Sequence, residues 1–95
     1  MNKIEHLLTC LTEECAEIQK LACKANRFGL DDSYVDGPTN RENLVTEIND
    51  LMAVVDLLAE EGAFKCDVFN MNKIDAKKNK VRKYMGYAKK VGTLK

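Results

Sequence analysis

Three stretches of this 95-residue chain space their apolar residues three and four apart, and none alternates them at period two for long. That spacing lays a stripe along one side of an α-helix, whereas a half-buried strand needs strict alternation. The first stretch carries Ile4, Leu7, Leu8, Leu11, Ile18, Leu21 and Ala22. The second carries Leu44, Ile48, Leu51, Val54, Val55 and Leu58, and the third Ile74, Val81, Tyr84, Met85, Ala88 and Val91. Phe28-Gly29-Leu30 and DDSYVDGPTN separate the first two, with Gly37-Pro38 as the strongest stop. Thr39 or Asn40 can cap the second helix and Gly62 can end it. Helices are therefore expected at roughly 3–27, 40–61 and 70–91 of a single all-α domain. The loop at 29–40 is long enough to be functional, though its acids and Pro38 suit plain surface equally well. One proline and five glycines are too few for the turns of a barrel or sandwich.

A domain this short buries only about two-thirds of the surface its unfolded chain exposes, so a partner subunit is expected. No apolar run reaches the length of a membrane span. The acids of MNKIEHLLTCLTEE do not suit a signal peptide, and a cytoplasmic location is expected. Cys10, Cys15, Cys23 and Cys66 form no C-x-x-C pair and read as reduced thiols. The net charge of zero conceals a division. Residues 1–69 hold fourteen acids against six Lys/Arg, and residues 70–95 hold nine Lys/Arg against Asp75 alone. The halves can neutralise each other, or each can hold a ligand of opposite sign, cations for one and phosphates for the other.

The position of the acids is the informative anomaly. With Glu14 set at 0° and about 100° per residue, Glu17 falls at about 300°, Cys10 at about 320°, Leu21 at about 340° and Ile18 at about 40°. With Glu47 at 0°, Asp50 falls at about 300°, Val54 at about 340° and Leu51 at about 40°. Two successive helices each set a carboxylate pair within an apolar stripe. Ionised carboxylates in such a place are costly and repel one another. Raised pKa values relieve this in part. A divalent cation relieves it by coordination, and hard carboxylate oxygens suit Mg²⁺, Mn²⁺ or Ca²⁺. Taken singly, either pair reads as helix surface with neighbours one turn away.

Glu13-Glu14-x-x-Glu17, a gap of some thirty residues and Glu47-x-x-Asp50 together resemble the paired acidic motifs of the MazG-like all-α nucleoside triphosphate pyrophosphohydrolases. TEECAEIQKLACKANRFGLDD, TNRENLVTEINDLMAVVDLL and NKIDAKKNKVRKY look like the short members borne by phages and bacteria, and the likeness spans roughly residues 3–90. Thr46 stands where the second motif's leading acid is expected. The resemblance implies that Glu14, Glu17, Glu47 and Asp50 coordinate Mg²⁺, with Mn²⁺ as a substitute. It implies that Glu13 supports the site or positions a water. The implied reaction cleaves a nucleoside triphosphate between the α and β phosphates, giving a monophosphate and pyrophosphate. The implied assembly is a homodimer or homotetramer, in which an antiparallel hairpin and a third helix complete a four-helix-bundle-like core with other copies. A phage-borne member would act in the host cytoplasm.

Such chemistry also needs cations for the phosphate oxygens and the departing pyrophosphate. Lys77 shares a stripe with Val81, Tyr84, Ala88 and Val91 and is expected to point inward; Lys80, Tyr84 and Lys73 are near enough to join it. Lys24, at about 280° on the first helix, lies on the acidic face beyond Glu17. For each of these lysines the alternative is a surface residue whose stem covers apolar area. Phe28, Tyr34, Asn26 and Asn40 are unranked candidates for contacting a base. A competing reading is a non-catalytic helical module that senses a nucleotide, or that binds nucleic acid through the basic third helix. The acidic body argues against nucleic acid.

Overall fold

A computed structural model describes residues 1–95 as three helices with no strand: α1 (Lys3–Phe28), α2 (Asn40–Glu60) and α3 (Met71–Lys90). No helix is long and apolar enough to cross a membrane. The chain divides into two compact units, Met1–Lys65 and Cys66–Lys95.

In the first unit, local chemistry sets the helix ends. Asn2 caps α1 by accepting from the Glu5 amide at 2.8 Å, while the Glu5 carboxylate accepts from the Asn2 amide at 3.4 Å. Gly29, at φ 100°, leaves the helix, and its amide donates to the Ala25 carbonyl at 2.7 Å. Of the two candidate caps for α2, Thr39 does the capping: its hydroxyl oxygen accepts from the Glu42 amide at 3.1 Å. The Asn40 and Arg41 amides donate to the carbonyls of Asp32 and Leu30 at 2.9 and 2.8 Å, which fixes the loop between the helices. A tight turn at Tyr34–Gly37 tips this loop, with Val35 and Asp36 both at positive φ.

The helices run antiparallel. Lys3 at the start of α1 pairs with Glu61 just past the end of α2 at 3.3 Å. At the other end, the Asn40 side-chain amide donates to the Gly29 carbonyl at 2.8 Å. Leu58 is the one large side chain removed completely from solvent, Ala25 is buried on α1, and Asn40 is 2% exposed. The remaining inward positions, such as Ile4, Leu7, Leu11, Ile18, Leu21, Leu44, Leu51, Val54 and Val55, are half-buried. Leu8, Val45, Ile48 and Met52 remain exposed. By the same angular reckoning these four fall at about 100–160°, along one side of the helix pair.

In the second unit, Asn70 caps α3 by accepting from the Lys73 amide at 3.0 Å. Gly92, at φ 87°, turns the chain back so that the Thr93 and Leu94 amides both donate to the Ala88 carbonyl. No residue of α3 is buried.

Asn40 therefore braces the loop; its amide is committed to the backbone and is not free for a ligand. Replacing it by Ala leaves the Gly29 carbonyl without its donor. Asn40→Ala is expected to lower the unfolding free energy by about 1–3 kcal/mol, read from the midpoint of a urea titration.

Candidate metal centre

The antiparallel register brings the middle of α1 against the middle of α2. There Glu14, Glu47 and Asp50 each present a carboxylate oxygen, all within 4.8 Å of one another. Glu14 and Glu47 are half-buried and Asp50 is exposed. One oxygen of Glu14, Oε2, is buried with no hydrogen-bond partner while both glutamates are ionised.

Electrostatics marks the same point. The Glu47 carboxyl is held above its usual value, first by a hydrogen bond that its protonated form makes with Glu14, and then by burial. The negative charges of Asp50, Glu14 and Glu17 add to this. A proton on Glu47 can be donated to Glu14, so the orphaned oxygen and the raised proton affinity express one strain. A divalent cation would relieve that strain without a proton. The donors are three hard carboxylate oxygens within 4.8 Å of one another; small side-chain rotations would bring them onto one ion, and their chemistry suits Mg²⁺ or Mn²⁺.

The helical wheel anticipates this meeting but overstates its burial. Glu17 is exposed and lies outside the closest group, although its charge is felt at Glu47. The expectation that Glu17 and Asp50 sit inside the apolar stripe is thus corrected: at about 300° they lie on its solvent edge. Glu13, one step further round, is exposed.

Lys24 is half-buried on α1 and takes part in neither of the chain's two ion pairs, Lys3–Glu61 and Arg41–Asp31. Lys73, Lys77, Lys80 and Tyr84 belong to the second unit. Lys77 does not point into a core. It is exposed on α3 beside Ile74, which is half-buried, and Val81 and Met85, which are both about half exposed. The reason is that nothing within its unit covers the α3 stripe. Two shallow grooves of about 480 and 490 Å³ follow it, the second lined by Lys77, Lys80 and Tyr84 among others, whereas Lys73 lines neither.

Of the residues considered for a base, Phe28 and Tyr34 are exposed and Asn40 is spent on the loop. Asn26 lines an open groove of about 450 Å³ with Ala22, Ala25, Leu30 and Leu44. That groove lies at about 20–120° on the wheel, away from the edge occupied by Glu17 and Asp50.

No family model matches the chain, and no curated protein or solved structure shows significant similarity to it.

The raised pKa of Glu47 fixes a pH dependence. The folded state binds this proton more tightly than the unfolded chain, whose reference value is 4.5. The resulting stability is fully present below that value and is lost as pH rises through the higher folded one. In EDTA, the melting temperature of the wild type is expected to fall across this interval. Glu47→Gln is expected to remove the step and to melt above wild type at pH 8. Circular dichroism melts across pH check both, and a lower melting temperature for Glu47→Gln at pH 8 would assign these carboxylates a structural role.

Proposed function

We propose that this chain is a Mg²⁺-dependent nucleoside triphosphate pyrophosphohydrolase of the MazG-like kind, converting a ribo- or deoxyribonucleoside triphosphate to its monophosphate and pyrophosphate. The observation that carries the reading is the convergence of Glu14, Glu47 and Asp50 from two helices, around a carboxylate oxygen that has no partner. The motif residues Glu13-Glu14-x-x-Glu17 and Glu47-x-x-Asp50 support it from the sequence.

In this reading Glu14, Glu47 and Asp50 hold the cation, with Glu17 beside them on the same edge. A bound Mg²⁺ supplies charge neutralisation at the phosphate and a more acidic water. Water attacks the α-phosphorus, the bond to the bridging oxygen breaks, and the electron pair leaves with pyrophosphate. Glu13, exposed at the rim, orients the attacking water. Lys24 stands on the acidic face to receive the negative charge of the β and γ phosphates. Lys73, Lys77, Lys80 and Tyr84 belong to the second unit and carry exposed side chains of the kind that bind phosphate.

The exposed apolar side of the hairpin supports assembly. Leu8, Val45, Ile48 and Met52 lie away from the carboxylates, so a second copy can cover them and leave the acidic edge open. In this reading the chain forms a homodimer or homotetramer with a bundle-like core. Nine basic residues in the segment 70–95, none of them buried, favour a second reading in which α3 binds nucleic acid. Steep loss of DNA binding with salt, independent of Mg²⁺, would distinguish it.

The enzyme reading is tested by pyrophosphate release from a panel of ribo- and deoxyribonucleoside triphosphates in Mg²⁺ and in EDTA. Turnover is expected in Mg²⁺ alone. Asp50→Asn is expected to reduce it by about 100-fold or more without loss of helix content. Silence across the whole panel, or full activity in Asp50→Asn, would reject the assignment.

A further inference from the structure

Seen along the hairpin, the acidic edge has two unlike neighbours. Towards the loop between α1 and α2, the same edge carries Lys24 at about 280° on α1 and Asn43 at about 320° on α2. Both are half-buried, Lys24 has no acidic partner, and no side-chain hydrogen bond engages Asn43 within the protein. Towards the other end the edge carries Cys10 at about 320° and His6 at about 280° on α1, with Val54 at about 340° and Leu57 at about 280° on α2. Cys10 and Val54 are half-buried and Leu57 is 46% exposed. The one cation at this end, Lys3, is already paired with Glu61 at 3.3 Å. One flank therefore offers an uncommitted positive charge and an amide, the other an apolar wall with a thiol and an imidazole.

Resting on the proposed reading of the carboxylates, we infer that the nucleotide lies lengthwise on this edge in one direction. Its β and γ phosphates point towards Lys24 and Asn43, and its base lies against Cys10, Val54 and Leu57. The spacing suits the ligand. Lys24 is seven residues beyond Glu17, about 10 Å along the axis at 1.5 Å per residue, which a lysine side chain reaching back shortens to the span of a β,γ-diphosphate. Cys10 and Val54 are each four residues from Glu14 and Asp50, about 6 Å along the axis, a distance comparable to that from an α-phosphate across a sugar to its base. The reverse direction would set a polyphosphate against apolar groups and a lysine already neutralised. His6, at the far rim, is placed to meet a polar edge of the base.

Cysteine footprinting tests the direction in the unaltered protein. Cys23, at about 180° on the same helix, and Cys66, in the second unit, are exposed and off the acidic edge, and serve as internal controls. N-ethylmaleimide labelling of each thiol is followed by mass spectrometry in Mg²⁺. The ligands are a non-hydrolysable α,β-imido deoxynucleoside triphosphate or inorganic tripolyphosphate, each with its binding measured calorimetrically. With the imido nucleotide at ten times its dissociation constant, labelling of Cys10 is expected to slow about tenfold, with Cys23 and Cys66 unchanged. Bound tripolyphosphate is expected to leave Cys10 reactive. Equal protection by tripolyphosphate, or nucleotide binding that leaves Cys10 as reactive as before, would overturn the direction while the enzyme reading stands. Failure to bind any nucleotide of the panel would overturn both.

Discussion

Like charges held together across a helix pair are the constraint on which this structure turns. Glu14 on α1 and Glu47 on α2 approach closely enough that Glu47 retains a proton more tightly than an ordinary glutamate, and Asp50 closes the group. Carboxylates left to themselves would separate into water. Here the antiparallel packing of α1 on α2 prevents that, with the loop end held by the amide of Asn40 on the Gly29 carbonyl. The packing that opposes the repulsion is slender: Leu58 is the one large side chain fully buried. Binding that selects the folded state adds its own free energy to stability. A cation at this point would therefore hold the hairpin as well as serve its chemistry.

The hairpin shows two different sides. One, near 100–160°, is apolar and exposed through Leu8, Val45, Ile48 and Met52. The other, near 280–360°, carries the carboxylates, flanked by Lys24 and Asn43 on one hand and by Cys10, Val54 and Leu57 on the other. With the two sides separated in this way, the proposed assembly and the proposed ligand site would not compete for surface. The carboxylates then sit at the boundary between the buried interior and solvent. There a charge is partly desolvated, so its interaction with a cation would be stronger than in bulk water.

Much of this is legible in the chain. Apolar spacing and the breakers at Gly29, Gly37-Pro38 and Gly62 are local signals, and they are enough to define three helices. The meeting of Glu14 with Glu47 is legible too, because the two residues occupy the same angular place on helices that one loop must fold together. Depth is less legible. Glu17 and Asp50 share an angle of about 300°, yet whether that angle is interior depends on how wide a contact the two helices make. That contact proved narrow. The role of Asn40 depends on a carbonyl eleven residues earlier, and both Thr39 and Asn40 are good caps, so only the closed loop separates them. Lys77 fails for a related reason: the stripe it shares is real, but periodicity names a face without naming its cover.

The central claim is that the meeting of Glu14, Glu47 and Asp50 is a divalent-cation site. Electron paramagnetic resonance of Mn²⁺ titrated into the wild-type protein and into Glu14→Gln tests it most directly. The account predicts saturable loss of the free Mn²⁺ signal with the wild type, reversed by excess Mg²⁺, and much weaker binding by Glu14→Gln. An undiminished free-ion signal with the wild-type protein, or equal binding by the two, would contradict it.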